Sequence, residues 1–160
     1  MTTRFIVDGG IGDMGQVTVT GAALLVNGTT VFTIAGGPIR ITDLVSYCIV
    51  GGDAAAATLQ WNADGTVGAA VTITAASSAL TSAAAGGIVY CNFTALATAP
   101  ILATAGVALA GTTTSTGGGV YVPAGIITMI IGGADTTTAT YKHYMRWVPL
   151  GQGASVTAAF

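Results

Sequence analysis

The strongest constraint on this chain of 160 residues is how little charge it has to place on a surface. Its charged side chains are Arg4, Arg40, Lys142 and Arg146 against six aspartates, with no glutamate, and none falls between Asp64 and Asp135. A helix that meets water covers its outer face with Lys, Glu and Gln. Those residues are nearly absent, and no long stretch repeats at helical spacing. The middle of the chain is mainly Ala, Gly, Thr, Ser, Val and Ile, and its β-branched runs suit pleated, half-buried strands.

Three kinds of chain tolerate so little charge: a membrane protein, a low-complexity disordered chain, and a β-rich assembly subunit. A transmembrane helix needs about 20 consecutive apolar residues. The best window, Ala95 to Gly111, is broken by Thr98, Pro100 and Thr104, and no Lys/Arg cluster flanks it. Disorder combines low hydrophobicity with high net charge; here 52% of residues are hydrophobic and the net charge is −2. The start, Met1 to Asp8, has only Phe5-Ile6-Val7 as an apolar run, too short for the core of a signal peptide. Cys48 and Cys91 are therefore expected as reduced thiols packed as small hydrophobes, with a disulfide as the alternative in an oxidising exterior. Without a basic patch, nucleic acid is not an expected partner, and neither is a membrane.

The strand signal runs through the chain. Val17-Thr18-Val19-Thr20, Val31-Phe32-Thr33-Ile34, Val71-Thr72-Ile73-Thr74, Val120-Tyr121-Val122 and Ile126 to Ile131 are β-branched runs. Between them stand turn formers: Asn27-Gly28, Gly36-Gly37-Pro38, Asp64-Gly65, Gly86-Gly87, Gly117-Gly118-Gly119 and Pro123-Ala124-Gly125. Turn signals about every ten residues predict an all-β, single-domain antiparallel sandwich, jelly-roll-like, one domain being what this length supports. Residues 1–20 read as an extended glycine-rich N-terminal arm with the first strand, and residues 21–160 as the body. Asp53 to Ala57 is the one ambiguous segment: Asp53 offers a cap for a turn of alanine helix, but the segment is read as a hairpin arm that continues through Trp61 into a turn at Asn62-Ala63-Asp64-Gly65.

The run Tyr141 to Val148 carries the most information. Alternation places Tyr141, His143, Met145 and Trp147 on one face, an aromatic core seam. Lys142, Tyr144 and Arg146 point the other way, and they form a candidate contact surface holding half of the positive charge.

Motifs with chemical meaning do not hold together. Gly10-Ile11-Gly12-Asp13-Met14-Gly15 matches G-x-G-x-x-G, but the following Gln16 to Thr20 is a strand pattern where a dinucleotide site needs a helix, and the next acid is Asp43. Gly9 to Asp13 and Asn62 to Gly65 have partial likeness to calcium loops without the remaining oxygen ligands. The sole histidine, His143, lies on the core seam, and the scattered aspartates form no carboxylate pair with it or with one another. No catalytic residue, cofactor or metal is expected, and the chain is read as non-enzymatic.

Ile34-Ala35-Gly36-Gly37-Pro38-Ile39-Arg40-Ile41-Thr42-Asp43-Leu44-Val45 resembles the first core strand pair of a group of small tailed-bacteriophage virion proteins. Val122 to Ile127 and Tyr144 to Leu150 resemble that group's closing hairpin, and the short tail from Gly151 to Phe160 also fits. The resemblance spans about Val31 to Ala159, on short motifs. It implies a head decoration (cement) protein in the virion: a β-sandwich or jelly-roll body seated on the lattice of the major capsid protein, as a homo-oligomer, with a trimer favoured. It supplies no catalytic residues. Low charge fits that role, because it lowers the desolvation cost of burying surface between subunits. Arg4, Phe5, Ile6 and Val7 in the arm join Lys142, Tyr144 and Arg146 as candidate interface residues. The alternative is a tail, collar or head-fibre protein that meets a host receptor, for which Trp61 and Tyr121, beside turns, are the candidate aromatics.

Overall fold

The computed structural model describes residues 15–52, 56–91, 93, 101–103, 119–133 and 138–160. The candidate arm residues Arg4, Phe5, Ile6 and Val7 and nearly all of the G-x-G-x-x-G match lie outside them.

Among the described residues the chain is all-β, without a helix. In order, the strands are β1 (Gln16–Leu24), β2 (Thr30–Ala35), β3 (Ile39–Val50), β4 (Thr58–Gly65), β5 (Val71–Thr72), β6 (Ile88–Cys91), β7 (Ile101–Ala103), β8 (Val120–Val122), β9 (Gly125–Gly132), β10 (Thr140–Pro149) and β11 (Ser155–Ala158). They form two antiparallel sheets, neither closed into a barrel. A six-stranded sheet has the order β1-β10-β3-β6-β7, with β8 also on β3, and a five-stranded sheet has the order β11-β2-β9-β4-β5. β1 continues past residue 20, so the first strand crosses the boundary expected between arm and body.

The two sheets share one core, a sandwich-like arrangement. Alternation decides which side chains enter it. β4 buries Leu59, Trp61 and Ala63, β9 buries Ile127, Met129 and Ile131, and β10 buries Tyr141, His143, Met145 and Trp147. The seam expected in β10 is thus where the sequence pattern places it.

Four local expectations are corrected. Asn62 to Gly65 is strand and not turn: these residues stay in register with Thr128 to Gly125 of β9, and the chain bends only after Gly65. Burial of Trp61 and Ala63 and a full ladder outweigh the turn preference of Asn-Ala-Asp-Gly. Gly125 permits that close pairing, since a Cβ there would run into the Asp64 carbonyl oxygen. Second, Val71 to Thr74 forms only a two-residue strand. Beyond it the pairing is half backbone and half side chain: Ile73 N and Ser77 N donate to the Trp61 and Leu59 carbonyls, while Trp61 N donates to Thr74 Oγ1 (3.0 Å) and Leu59 N to Ser77 Oγ (2.9 Å). Third, β2 and β3 do not pair with each other. Gly36, at φ +74° and against the Gly153 carbonyl, lets the chain pass from one sheet to the other. Fourth, β9 and β10 lie in opposite sheets, so the segment expected as a closing hairpin is a second crossing.

One irregularity positions the candidate site. In β3 opposite β10, Ile41 pairs with Trp147 and Asp43 with Arg146, which leaves Thr42 as an extra residue. This bulge resets the alternation, so Ile39 and Ile41 point inward before it, and Leu44, Ser46 and Cys48 after it. Asp43 is thereby turned outward.

Candidate functional site

The outer face of the six-stranded sheet collects the scarce residue types of this chain. Residues opposite one another in antiparallel strands share a face, so the register defines rows across it. Val17, Arg146 and Asp43 form one row, and Val19, Tyr144, Val45 and Tyr90 the next. Lys142, Tyr47 and Ile88 form a third, while Val148, Arg40 and Tyr121 lie at the far end. Four of the five tyrosines and all three described basic residues lie on this face. The fifth tyrosine, Tyr141, is in the core.

Lys142, Tyr144 and Arg146 are thus brought together as expected, but they are only the central strand of the surface. Sequence reasoning missed Val17, Asp43, Val45, Tyr47 and Tyr90 as their neighbours. Tyr47 and Tyr90 each precede a cysteine in a strand run, and the inward cysteines were the available signal that the tyrosines face out. Asp43 gave no such signal, because its direction depends on the bulge.

The face is mostly apolar between its charges. A shallow groove of about 420 Å³ is lined by Val17, Asp43, Val45, Tyr47, Tyr144 and Arg146. At its rim Arg146 Nη1 stands 3.6 Å from Asp43 Oδ2, and the Thr42 hydroxyl donates to the same carboxylate oxygen (2.9 Å). Both partners of this ion pair are substantially exposed to solvent, a setting in which such pairs contribute about 0–1 kcal/mol. The arginine is therefore cheaply re-partnered. Tyr121, 68% exposed, extends the face at β8. Trp61, proposed as an exposed reader aromatic, is instead fully buried, which removes it from any contact role.

The outer face of the five-stranded sheet is different in kind. Thr33, Gln60, Asn62, Thr128, Ile126 and Ile130 occupy it, with Asp64 as its charge.

The polar groups on the inner side serve the fold. His143, 1% exposed, has Nδ1 at 2.7 Å from Ser46 Oγ, while its backbone N–H donates to Thr20 Oγ1 (2.9 Å). Burial pushes its pKa down to about 4. A serine beside a histidine has the outline of a nucleophile and its base, but both are sealed from solvent. Cys48 and Cys91 are free and buried, and burial pushes both thiols up. Cys91 lies opposite Leu44 while the Cys48 N–H bonds Gly87 O, so four residues of β3 separate them. At about 3.4 Å per residue that exceeds the roughly 7 Å limit for a disulfide, which excludes the alternative pairing. Among the described residues no three His, Cys, Asp or Glu side chains gather as a metal site, and no helix is long and apolar enough to cross a membrane.

Comparison with protein-family models, with curated proteins and with solved structures gave no match.

Proposed function

We propose that this chain is a non-enzymatic structural subunit that works by having the outer face of its six-stranded sheet covered by a neighbouring protein. We place it on a bacteriophage particle as a head decoration protein bound to the major capsid protein lattice. The observation that carries the reading is the gathering of Tyr47, Tyr90, Tyr121 and Tyr144 with Arg40, Lys142 and Arg146 on one sheet face. Tyrosine and arginine are the residue types enriched where proteins bind, because each offers a large contact area together with hydrogen-bond donors. Among the described residues, Asp64 is the one charged side chain that lies off this face. The likeness of Ile34 to Val45, Val122 to Ile127 and Tyr144 to Leu150 to small tailed-phage virion proteins supports the particular assignment.

Strand order supports a finer reading of the fold. The order β1-β10-β3-β6 against β2-β9-β4-β5 is what eight strands wound as two Greek keys produce, and we infer a jelly roll. Such bodies are common in capsid proteins, and their rigid sheets present a fixed contact face.

The test is binding to empty shells of the source particle, read by co-sedimentation and by cryo-EM of the decorated shell. Density on the head lattice, with the six-stranded sheet toward the shell, is the expected result. No association, or density only on the tail or portal vertex, refutes the assignment.

A further inference from the structure

Sheet edges invite pairing with another chain, and proteins blunt them with short strands, charges, prolines or bulges. Among the described residues three of the four terminal strands are short: β5 has two residues, β7 three and β11 four. β1 is the exception, with nine residues, Gln16-Val17-Thr18-Val19-Thr20-Gly21-Ala22-Ala23-Leu24, and neither charge nor proline. Its pairing with β10 is regular from Gln16 to Val19 and slips only between Val19 and Ala22. At that slip Gly21 N donates to Phe160 O (2.8 Å), so the C-terminus occupies the edge there. Over Gln16 to Val19 the described residues supply hydrogen-bonded neighbours on the β10 side alone. Val17 and Val19, on the outer face of this stretch, are 57% and 42% exposed.

We propose that Gln16 to Val19 is a self-association edge, on which the same strand of a second copy pairs antiparallel about a two-fold axis at Thr18. The sequence is self-complementary in that register. Val17 falls opposite Val19 of the partner subunit, Val19 opposite the partner's Val17, and the two threonines meet at the axis. Valine pairs of this kind stabilise sheets, and no like charges stand opposite each other. The nearest cations among the described residues, the two Arg146 side chains, lie one strand back on each side. Three strand spacings, about 14 Å, separate their strands, beyond the screening length of about 8–10 Å. The inner face is compatible too, because Thr18 Oγ1 already accepts from Trp147 Nε1 (3.0 Å) and keeps its place in the row. An isologous contact closes on itself and stops at two copies. It also joins the two tyrosine-bearing faces into one continuous sheet, so each dimer meets its partner at two points. The resemblance to decoration proteins implies a trimer; this edge makes a dimer.

Sedimentation velocity on the full chain tests the inference, with the double variant Val17→Lys, Val19→Lys and the control Thr33→Lys on the other sheet. The wild type and the control are expected as dimers. The double variant sets lysines opposite lysines across the axis, and its dimer should weaken at least about 100-fold while circular dichroism keeps the β signature. A wild-type monomer or trimer, or a dimer untouched by the double substitution, overturns the proposal. Hydrogen exchange on the wild type gives a readout free of any folding defect. Protection that falls on dilution, at those Gln16 to Val19 amides that point away from β10, supports the pairing. Protection of those same outward amides that is independent of concentration overturns it, and would point to the chain's own N-terminal segment as the occupant.

Discussion

Lowering the pH should weaken the fold through His143, by an amount that the burial of this side chain sets. The ring is 1% exposed, with Nδ1 on Ser46 Oγ, the Phe160 ring nearly perpendicular to it at a centroid separation of 6.2 Å, and no described partner for Nε2. Its pKa falls from 6.5 to about 4 because the charged form is desolvated. The unfolded chain therefore takes up a proton near pH 6.5 that the folded chain refuses until about pH 4. Stability contributed by the neutral ring is complete above pH 6.5 and is lost as pH drops through that window. Between pH 7.5 and 4.5 the loss is about 2.5 kcal/mol, approaching about 3.4 kcal/mol below pH 4. Urea unfolding followed by the fluorescence of the buried Trp61 and Trp147 measures it. The comparison is with His143→Gln, which keeps a polar group for Ser46 and has no imidazole to protonate. The wild type should lose about 2.5 kcal/mol more than the variant over this interval. Equal pH dependence in the two proteins, or an imidazole that titrates near pH 6.5 by NMR, would refute the reasoning.

Gly125→Ala should destabilise by roughly 1–3 kcal/mol in the same urea assay, because its Cβ would run into the Asp64 carbonyl of the paired strand β4. Asp43→Asn should change the unfolding free energy by less than about 1 kcal/mol, since its ion pair with Arg146 is solvent-exposed. A larger loss would mean that the bulge at Thr42 depends on the carboxylate. Cys48 and Cys91 should resist a thiol reagent in the folded protein and react fully in denaturant without prior reduction. Two thiols missing from the denatured count would contradict their separation along β3.

Strand identity was legible wherever alternation was long and unbroken. Tyr141 to Trp147 declared its inward and outward faces because each second residue is large and apolar or aromatic, and burial follows that period. The outer sheet face around Lys142, Tyr144 and Arg146 was legible only along its own strand. Its other members come from β1, β3, β6 and β8, and which strands become neighbours is a long-range property that local pattern does not carry. Asp43 shows the limit most plainly: one inserted residue, Thr42, reverses its direction, and nothing in Ile39 to Val45 marks the insertion. Trp61 failed for the opposite reason. A strong turn signal at Asn62 to Gly65 suggested a loop-border aromatic, but eight residues of register with β9 extend the strand through it and bury the indole. Gly-Gly-Pro and Pro-Ala-Gly were recognisable as breaks, yet the same residues serve a hairpin or a crossing between sheets.

The central claim is that the tyrosine-bearing face of the six-stranded sheet is covered in the assembled state. Hydroxyl-radical footprinting of the free protein and of the particle isolated from its source tests this most directly, read at Tyr47, Tyr90, Tyr121 and Tyr144. These four side chains should be oxidised in the free protein and protected in the particle, while Val67 and Val71, exposed at the other sheet, are oxidised in both. Equal oxidation of the tyrosines in both states, or protection confined to Val67 and Val71, would contradict the account.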